Sequence, residues 1–321
     1  MTYLEGINSA LREEMRRDER VFCLGEDIGV YGGAFKITKG LIEEFGPLRV
    51  LDTPLSESAI VGVATGAALM GMRPVVEMQF SDFITCAFNQ VVNMSAKIHY
   101  RWGARVPMVI RCPSGGGVHG GPFHSQNPES WFFHVPGLKV VTPATAADAK
   151  GLLTAAIRDN NPVMYFEHKF LYRRIKDDVP EGDHVVPIGV AICRRPGKHM
   201  SVITYGSMVH VCLEAAEKLQ AEGCEAEIID LRSLLPFDKA AVLESVQRTG
   251  KALIVHEDTR TGGVGAEFAA IIAEEAFESL DGPVRRVASI DTPVPYSPPL
   301  EEFFMPSVDK VLAAMQDLAA Y

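Results

Sequence analysis

VLDTPLSESAIVGVATGAALMGMRPVVEMQF runs from Val50 to Phe80. Its first residues are strand-like and break at Pro54. A run of Ala, Gly, Val and Ile then continues to Gly71 with helical character. From Arg73 the chain is again apolar and β-rich. Strand, helix and strand in succession are the unit of a parallel sheet, because parallel neighbours need a crossover and the crossover is usually a helix. A single acid, Glu57, stands at the mouth of that otherwise uncharged helix.

The same alternation extends both ways. A helix over Tyr3–Arg17 precedes the strand VFCLGEDI and a Gly-rich loop, GVYGGAF. A long helical segment is expected from Asp82 to about His99. VPMVIRCP reads as a buried strand running into the loop SGGGVHGGPFHSQ. LKVVTP, a helix over ATAADAKGLLTAAIRD, and PVMYFEH follow. The strands are continuous apolar runs, the mark of a parallel sheet covered on both faces. Residues 170–195 mix charge, Pro and Gly without period and read as a linker. A second alternating set begins at SVITYG and closes with VRRVASI. The expected fold class is therefore α/β with two domains of mostly parallel sheet: 1–175, a linker at 176–195, and 196–321.

Composition narrows the function. A net charge of -10 and no basic stripe argue against nucleic acid. No apolar run is long enough for a membrane span, and the N-terminus lacks the apolar core of a signal peptide. The six cysteines are scattered without a C-x-x-C, which points to reduced thiols in a cytoplasmic protein.

Several residues invite chemistry, each beside a plainer reading. Glu57 complements a helix dipole behind an N-cap serine, Ser56. Yet Gly62 and Gly66 each cost the helix about 1 kcal/mol, which suggests close approach by another chain or a ligand. A partly desolvated carboxylate there suits proton exchange with a heterocyclic base. In GGGVHGGPFHSQ the plain reading is a flexible surface loop. His119 and His124 are badly spaced for a metal, and His124, better restrained by its neighbours, is preferred as a site residue. GVYGGAF and TGGVG suggest nucleotide loops but match neither phosphate-binding pattern. Glu26 and Asp27 follow a strand end, where open α/β sheets bind ligands, or are solvated turn acids. Phe80, Phe83 and Phe88 read as core aromatics, with Phe83 able to stack on a planar ring.

Together, DTPLSE, EMQFSDF, PSGGGVHGGPFHSQ, PGLKVV, DAKGLLTAAIRDNNPV and DTPVPYSPPLE resemble the β subunits of the decarboxylating component of 2-oxo acid dehydrogenase complexes, over nearly the whole chain. The resemblance implies a thiamine pyrimidine-binding domain followed by a transketolase-like C-terminal domain. It implies that Glu57 bonds the pyrimidine ring of thiamine diphosphate and drives formation of the ylid, with Leu55, Gln79 and Phe83 lining the pyrimidine pocket. His124 is implied beside the thiazolium, passing the acyl group to lipoamide. The chain lacks the GDG motif that anchors magnesium and diphosphate; its nearest string is Gly182-Asp183-His184. An α subunit in an α2β2 heterotetramer is therefore expected to hold Mg2+ and diphosphate, with the Gly/Ala helix at the subunit boundary. The resemblance also implies a structural potassium ion near Met108, Ala156, Ile157, Asp159 and Asn161, and docking to a lipoyl acyltransferase core. The substrate implied is a branched-chain 2-oxo acid from HSQNPESWFFHVPGLKVV and FEHKFLYR, whereas Phe83 and PVPYSPPLE lean toward pyruvate or acetoin. Two other readings stand beside this one: a nicotinamide oxidoreductase built on TGGVG, and a scaffold subunit for the acyltransferase core.

Overall fold

The computed structural model describes all 321 residues, which divide into two compact units. One comprises Met1–Ser114 and Trp131–Ile188, the other Gly115–Ser130 and Gly189–Tyr321. Residues 115–130 lie within the first alternating set of the sequence, and inside the expected domain 1–175, but fold with the second unit.

In the first unit, β1 (Val21–Gly25), β2 (Val50–Asp52), β3 (Arg73–Glu77), β4 (Val109–Ser114), β5 (Lys139–Val141) and β6 (Val163–His168) lie in the order β5-β6-β4-β3-β1-β2. Every pairing is parallel. β1, β4 and β6 are buried along their whole length, which is why they read as unbroken apolar runs. The helices Tyr3–Arg17 and Ala146–Arg158 supply Ile7, Leu11, Leu152 and Leu153 to a core shared with Val163 and Tyr165. The Tyr3–Arg17 helix starts on a capping box in which Glu5 N–H donates to Thr2 and Thr2 N–H donates to Glu5.

The Glu57–Leu69 helix starts differently. Ser56 holds the cap position and its carbonyl accepts from Ile60 N–H at 2.9 Å, but its hydroxyl makes no capping bond. The expected long helix from Asp82 is instead broken into a 3-10 stretch, Ser81–Ala87, a π-helical turn, Gln90–Ser95, and a short α-helix, Ala96–Trp102. The wide turn has a local cause: Ser95 Oγ donates to the Gln90 carbonyl at 2.9 Å and meets Thr65 Oγ1 at 2.8 Å.

The second unit carries β7 (Ile192–Arg195), β8 (Met200–Thr204), β9 (Ala226–Asp230), β10 (Ala252–Thr259) and β11 (Arg285–Ser289). Their order is β11-β10-β8-β9-β7. All pair in parallel except β7, which lies antiparallel at the edge and falls inside the stretch expected to be linker. Its irregular, charged sequence fits an edge strand, where only one side needs a partner. Met200, Val202, Cys212, Leu219, Leu253 and Met315 belong to the core of this unit. No helix of the chain is long and apolar enough to cross a membrane.

Candidate active site

Parallel strands end on one edge, and loops leaving that edge gather side chains. In the first unit three neighbouring strands do this. Gly25 at the end of β1 is in register with Asp52 of β2 on one side and Glu77 of β3 on the other. The residues that follow are Glu26 and Asp27, Thr53–Glu57, and Met78–Phe83. Glu57 is the first residue of its helix and is half-buried. Glu26 is buried, not a solvated turn acid. Burial raises its pKa, the nearby Glu57 charge adds to this, and a hydrogen bond from the Ser56 backbone acts in the opposite direction. Its Oε1 is left without a hydrogen-bond partner. Gln79 Nε2 donates to Asp27 at 3.2 Å, and Phe83 packs edge-on against Phe80. Leu55 is 80% exposed. The structure thus gathers Glu57, Gln79 and Phe83 on one edge but leaves the apolar enclosure open where Leu55 projects.

A buried charge cluster that no motif marks lies beneath this edge. Arg111 of β4, 1% exposed, bonds Glu77 of β3 and Glu167 of β6. Tyr172 donates to Glu167 at 2.8 Å. Burial raises the Glu77 pKa against the pull of Arg111. Gly33 of the GVYGGAF loop sits where a Cβ would come within 3.1 Å of Glu77 Oε1. That glycine therefore answers to a buried carboxylate. The available signal was one charge, Arg111, inside an apolar strand, since such a charge must be paired.

The His124 loop belongs to the second unit, and its backbone is tied to buried carboxylates. Glu257, near the end of β10, accepts from Gly116 N–H at 2.7 Å, Asn127 Nδ2 at 2.8 Å and Ser207 Oγ at 2.6 Å. Glu301 accepts from Gly117 N–H, His119 N–H and His119 Nδ1. His124 closes a 3-10 turn, Gly121–Phe123, and is half-buried. Two further acids are buried alongside. Glu129 accepts from Tyr205 Oη at 2.9 Å, and burial, reinforced by Asp258, pushes its pKa up to about 8. Asp258 accepts from Ser130 Oγ at 2.6 Å, and burial raises it to about 6.

TGGVG does lie between a strand and a helix, but its glycines serve the chain itself. A Cβ on Gly263 or Gly265 would fall within 2.6 Å of the His256 ring. His256 is fully buried, neither ring nitrogen meets a partner, and burial lowers its pKa to about 4. The loop is shaped around a neutral imidazole, which removes the support for a dinucleotide.

At the residues expected to hold potassium, four carbonyls already accept hydrogen bonds within the chain. The carbonyls of Ile157 and Asp159 both accept from Arg73 Nη1, at 2.8 and 2.9 Å. The Ala156 carbonyl accepts from Asp159 N–H and that of Met108 from Val163 N–H. Asn161 N–H donates to Asp159 Oδ1. The Arg73 guanidinium supplies positive charge there.

Comparison with known proteins gives a consistent result. Residues 1–174 match the family described as "Transketolase, pyrimidine binding domain" and 189–311 that described as "Transketolase, C-terminal domain". The chain is 53% identical to the 2-oxoisovalerate dehydrogenase subunit beta of Bacillus subtilis, covering 100% of this chain and 99% of that protein. It is 45% identical to the pyruvate dehydrogenase E1 component subunit beta of the same organism, over 97% and 96%. It is 47% identical to the acetoin:2,6-dichlorophenolindophenol oxidoreductase subunit beta of Cupriavidus necator, over 96% and 94%. A solved structure titled "Split gene transketolase, inactive beta4 tetramer" has the same fold, with TM-score 0.82 and 23% identity over 100% of this chain and 98% of that one.

Proposed function

Since this chain belongs to the family of 2-oxo acid dehydrogenase β subunits, we propose that it supplies the pyrimidine half of a thiamine diphosphate site and acts on a branched-chain 2-oxo acid. The observation that carries the proposal is the convergence of Glu57, Gln79 and Phe83 at the ends of adjoining strands. The donor set fits an aminopyrimidine: a carboxylate to hold a ring-nitrogen proton, an amide for polar edge groups, and an aromatic wall. The unpartnered Oε1 of buried Glu26 beside them also suits a site that expects a polar occupant.

When bound, thiamine diphosphate supplies the nucleophilic carbon that removes CO2 from the 2-oxo acid. The chain's own task is to orient that ring and to manage protons. Glu57 holds the proton at the pyrimidine nitrogen. Burial, with the nearby charge of Glu57 adding to it, raises the pKa of Glu26 beside it. Leu55 and Phe83 exclude water once the site is closed. His124 moves a proton at its imidazole during transfer of the acyl group to lipoamide.

Closure requires another chain. Leu55 projects into solvent, Val63 and Met70 in and just after the helix that follows it are exposed, and so are Tyr100 and Trp102 further along the chain. A Cβ at Gly66 would meet nothing within 4 Å. An apolar face of this kind suits a partner subunit, in line with an α2β2 heterotetramer whose α subunit contributes Mg2+ and diphosphate binding. A lipoyl acyltransferase core is the partner that receives the acyl group. The 53% identity to a 2-oxoisovalerate dehydrogenase subunit, against 45% and 47% to the others, favours the branched-chain substrate.

The test is reconstitution with the α partner and assay on 3-methyl-2-oxobutanoate, pyruvate and acetoin. The branched-chain acid is expected to give the highest kcat/KM, and the lone chain no turnover. Glu57→Gln is expected to abolish turnover with an unchanged circular dichroism spectrum. Wild-type rates in that variant would remove Glu57 from the mechanism.

A further inference from the structure

We propose that Glu257 and Glu301 are positioning residues for His124, clamping the Gly115–Ser130 loop so that its imidazole is presented in one orientation. The inference rests on the proton-handling role given to His124 above. It starts from the loop's composition. Five glycines stand between Ser114 and Pro122, and glycine gives up more conformational freedom on ordering than any other residue. Such a loop holds one shape only if something outside it imposes that shape.

Both carboxylates are suited to impose it. Glu257 Oε1 receives Gly116 N–H and Asn127 Nδ2, so a single atom ties together residues on either side of His124. Its other oxygen receives Ser207 Oγ, which fixes the plane of the carboxylate. Glu301 holds the middle of the loop. Oε1 takes Gly117 N–H at 3.0 Å, and Oε2 takes both His119 N–H at 3.2 Å and His119 Nδ1 at 2.6 Å. His119 has φ of 59°, an uncommon state for a residue with a side chain, which persists where surrounding bonds enforce it. Glu257 is 4% exposed and Glu301 1%, so these charge-assisted bonds are shielded from water.

The glycines fit the same purpose. A Cβ at Gly116 would lie 2.9 Å from Met305 Sδ and 3.2 Å from Glu301 Oε1, and one at Gly121 would lie 2.3 Å from the Tyr296 ring. Absence of side chains lets the backbone reach the acids. With Glu257 Oε1 and both Glu301 oxygens taken up by the loop and Glu257 Oε2 by Ser207, the two acids act through His124 and do not themselves exchange protons with substrate.

The experiment uses the full chain paired with its α subunit. Glu257→Ala and Glu301→Ala are expected to speed amide exchange over residues 116–127 by about tenfold or more. They are expected to lower kcat for acyl transfer to lipoamide by about 10–100-fold with little change in KM for the 2-oxo acid. Glu257→Gln, whose amide oxygen still accepts from Gly116 and Asn127, is expected to stay within about threefold of wild type. Unchanged loop exchange in folded Glu257→Ala overturns the proposal. So does Glu257→Gln as damaged as Glu257→Ala, which would make charge and not position the cause. If Glu257→Ala does not fold, Gly116→Ala pushes on the same carboxylates with every charge retained. Wild-type exchange in that variant is equally fatal. His124→Ala separates the two claims. Full activity there refutes the role given to His124, while loop exchange still decides the clamp.

Discussion

Two clusters of buried carboxylates, one in each unit, are held by opposite means. In the first, Glu77 and Glu167 flank Arg111, a cation shared between strands. In the second, Glu129, Glu257, Asp258 and Glu301 are held by backbone N–H groups, hydroxyls and an amide. The first arrangement needs three charges at once and tolerates the loss of none. The second needs close backbone approach, so its weak points are glycines and protonation states. An ion cluster is set by side chains alone, whereas a carboxylate capped by N–H groups is set by the path of the main chain.

The sharpest break of this contrast is Arg111→Ala. It leaves two buried carboxylates uncompensated and should destabilise the first unit by about 3–5 kcal/mol. Urea unfolding with a probe in each unit checks it, and a loss confined to the second unit would contradict the assignment. Gly121→Ala should cost the second unit about 3 kcal/mol, because a Cβ meets Tyr296 and φ is 69°. The same scan reads it.

The pH response comes next. Glu129 is raised to about 8 when folded, from an ordinary value of 4.5. Between those values the folded state holds a proton that the unfolded chain has released. Stability from this group is therefore complete at low pH and lost as pH rises toward about 8. The slope is at most about 1.4 kcal/mol per pH unit. Urea midpoints taken from pH 6 to 9 should fall in the wild type and flatten in Glu129→Gln. A midpoint that rises with pH would mean the carboxylate is charged in the folded state.

Smallest is the contrast between helix starts. Thr2→Ala removes a bonded cap and should cost about 1 kcal/mol. Ser56→Ala removes a hydroxyl that caps nothing and should fall within about 0.5 kcal/mol of wild type. Equal losses would show that Ser56 caps in solution.

Much of the fold was legible because its strands are buried along their whole length, as at Val21–Gly25 and Val109–Ser114. Glu57 could be found as the one acid at the mouth of an otherwise uncharged helix, whereas Gln79 came only with the family resemblance. The clamp could not be found this way. Gly116 and Glu257 lie 141 residues apart, and each alone reads as a loop glycine and a strand-end acid. Glycine clusters announce close approach without naming the neighbour. For Gly263 and Gly265 that neighbour is His256, for Gly33 it is Glu77, and for Gly121 it is Tyr296. Arg111 was visible as an isolated charge, but its two partners come from separate strands.

The excursion of residues 115–130 bears on modularity. A gene fragment ending near residue 175 would encode His124 without Glu257 and Glu301, and one beginning near 189 would encode both acids with no loop to hold. The chain can be copied, fused or exchanged among relatives only as a whole if the histidine is to keep its footing. Recombination between the halves of two relatives should preserve both sheets and still misplace the imidazole, unless the loop and the two glutamates descend together.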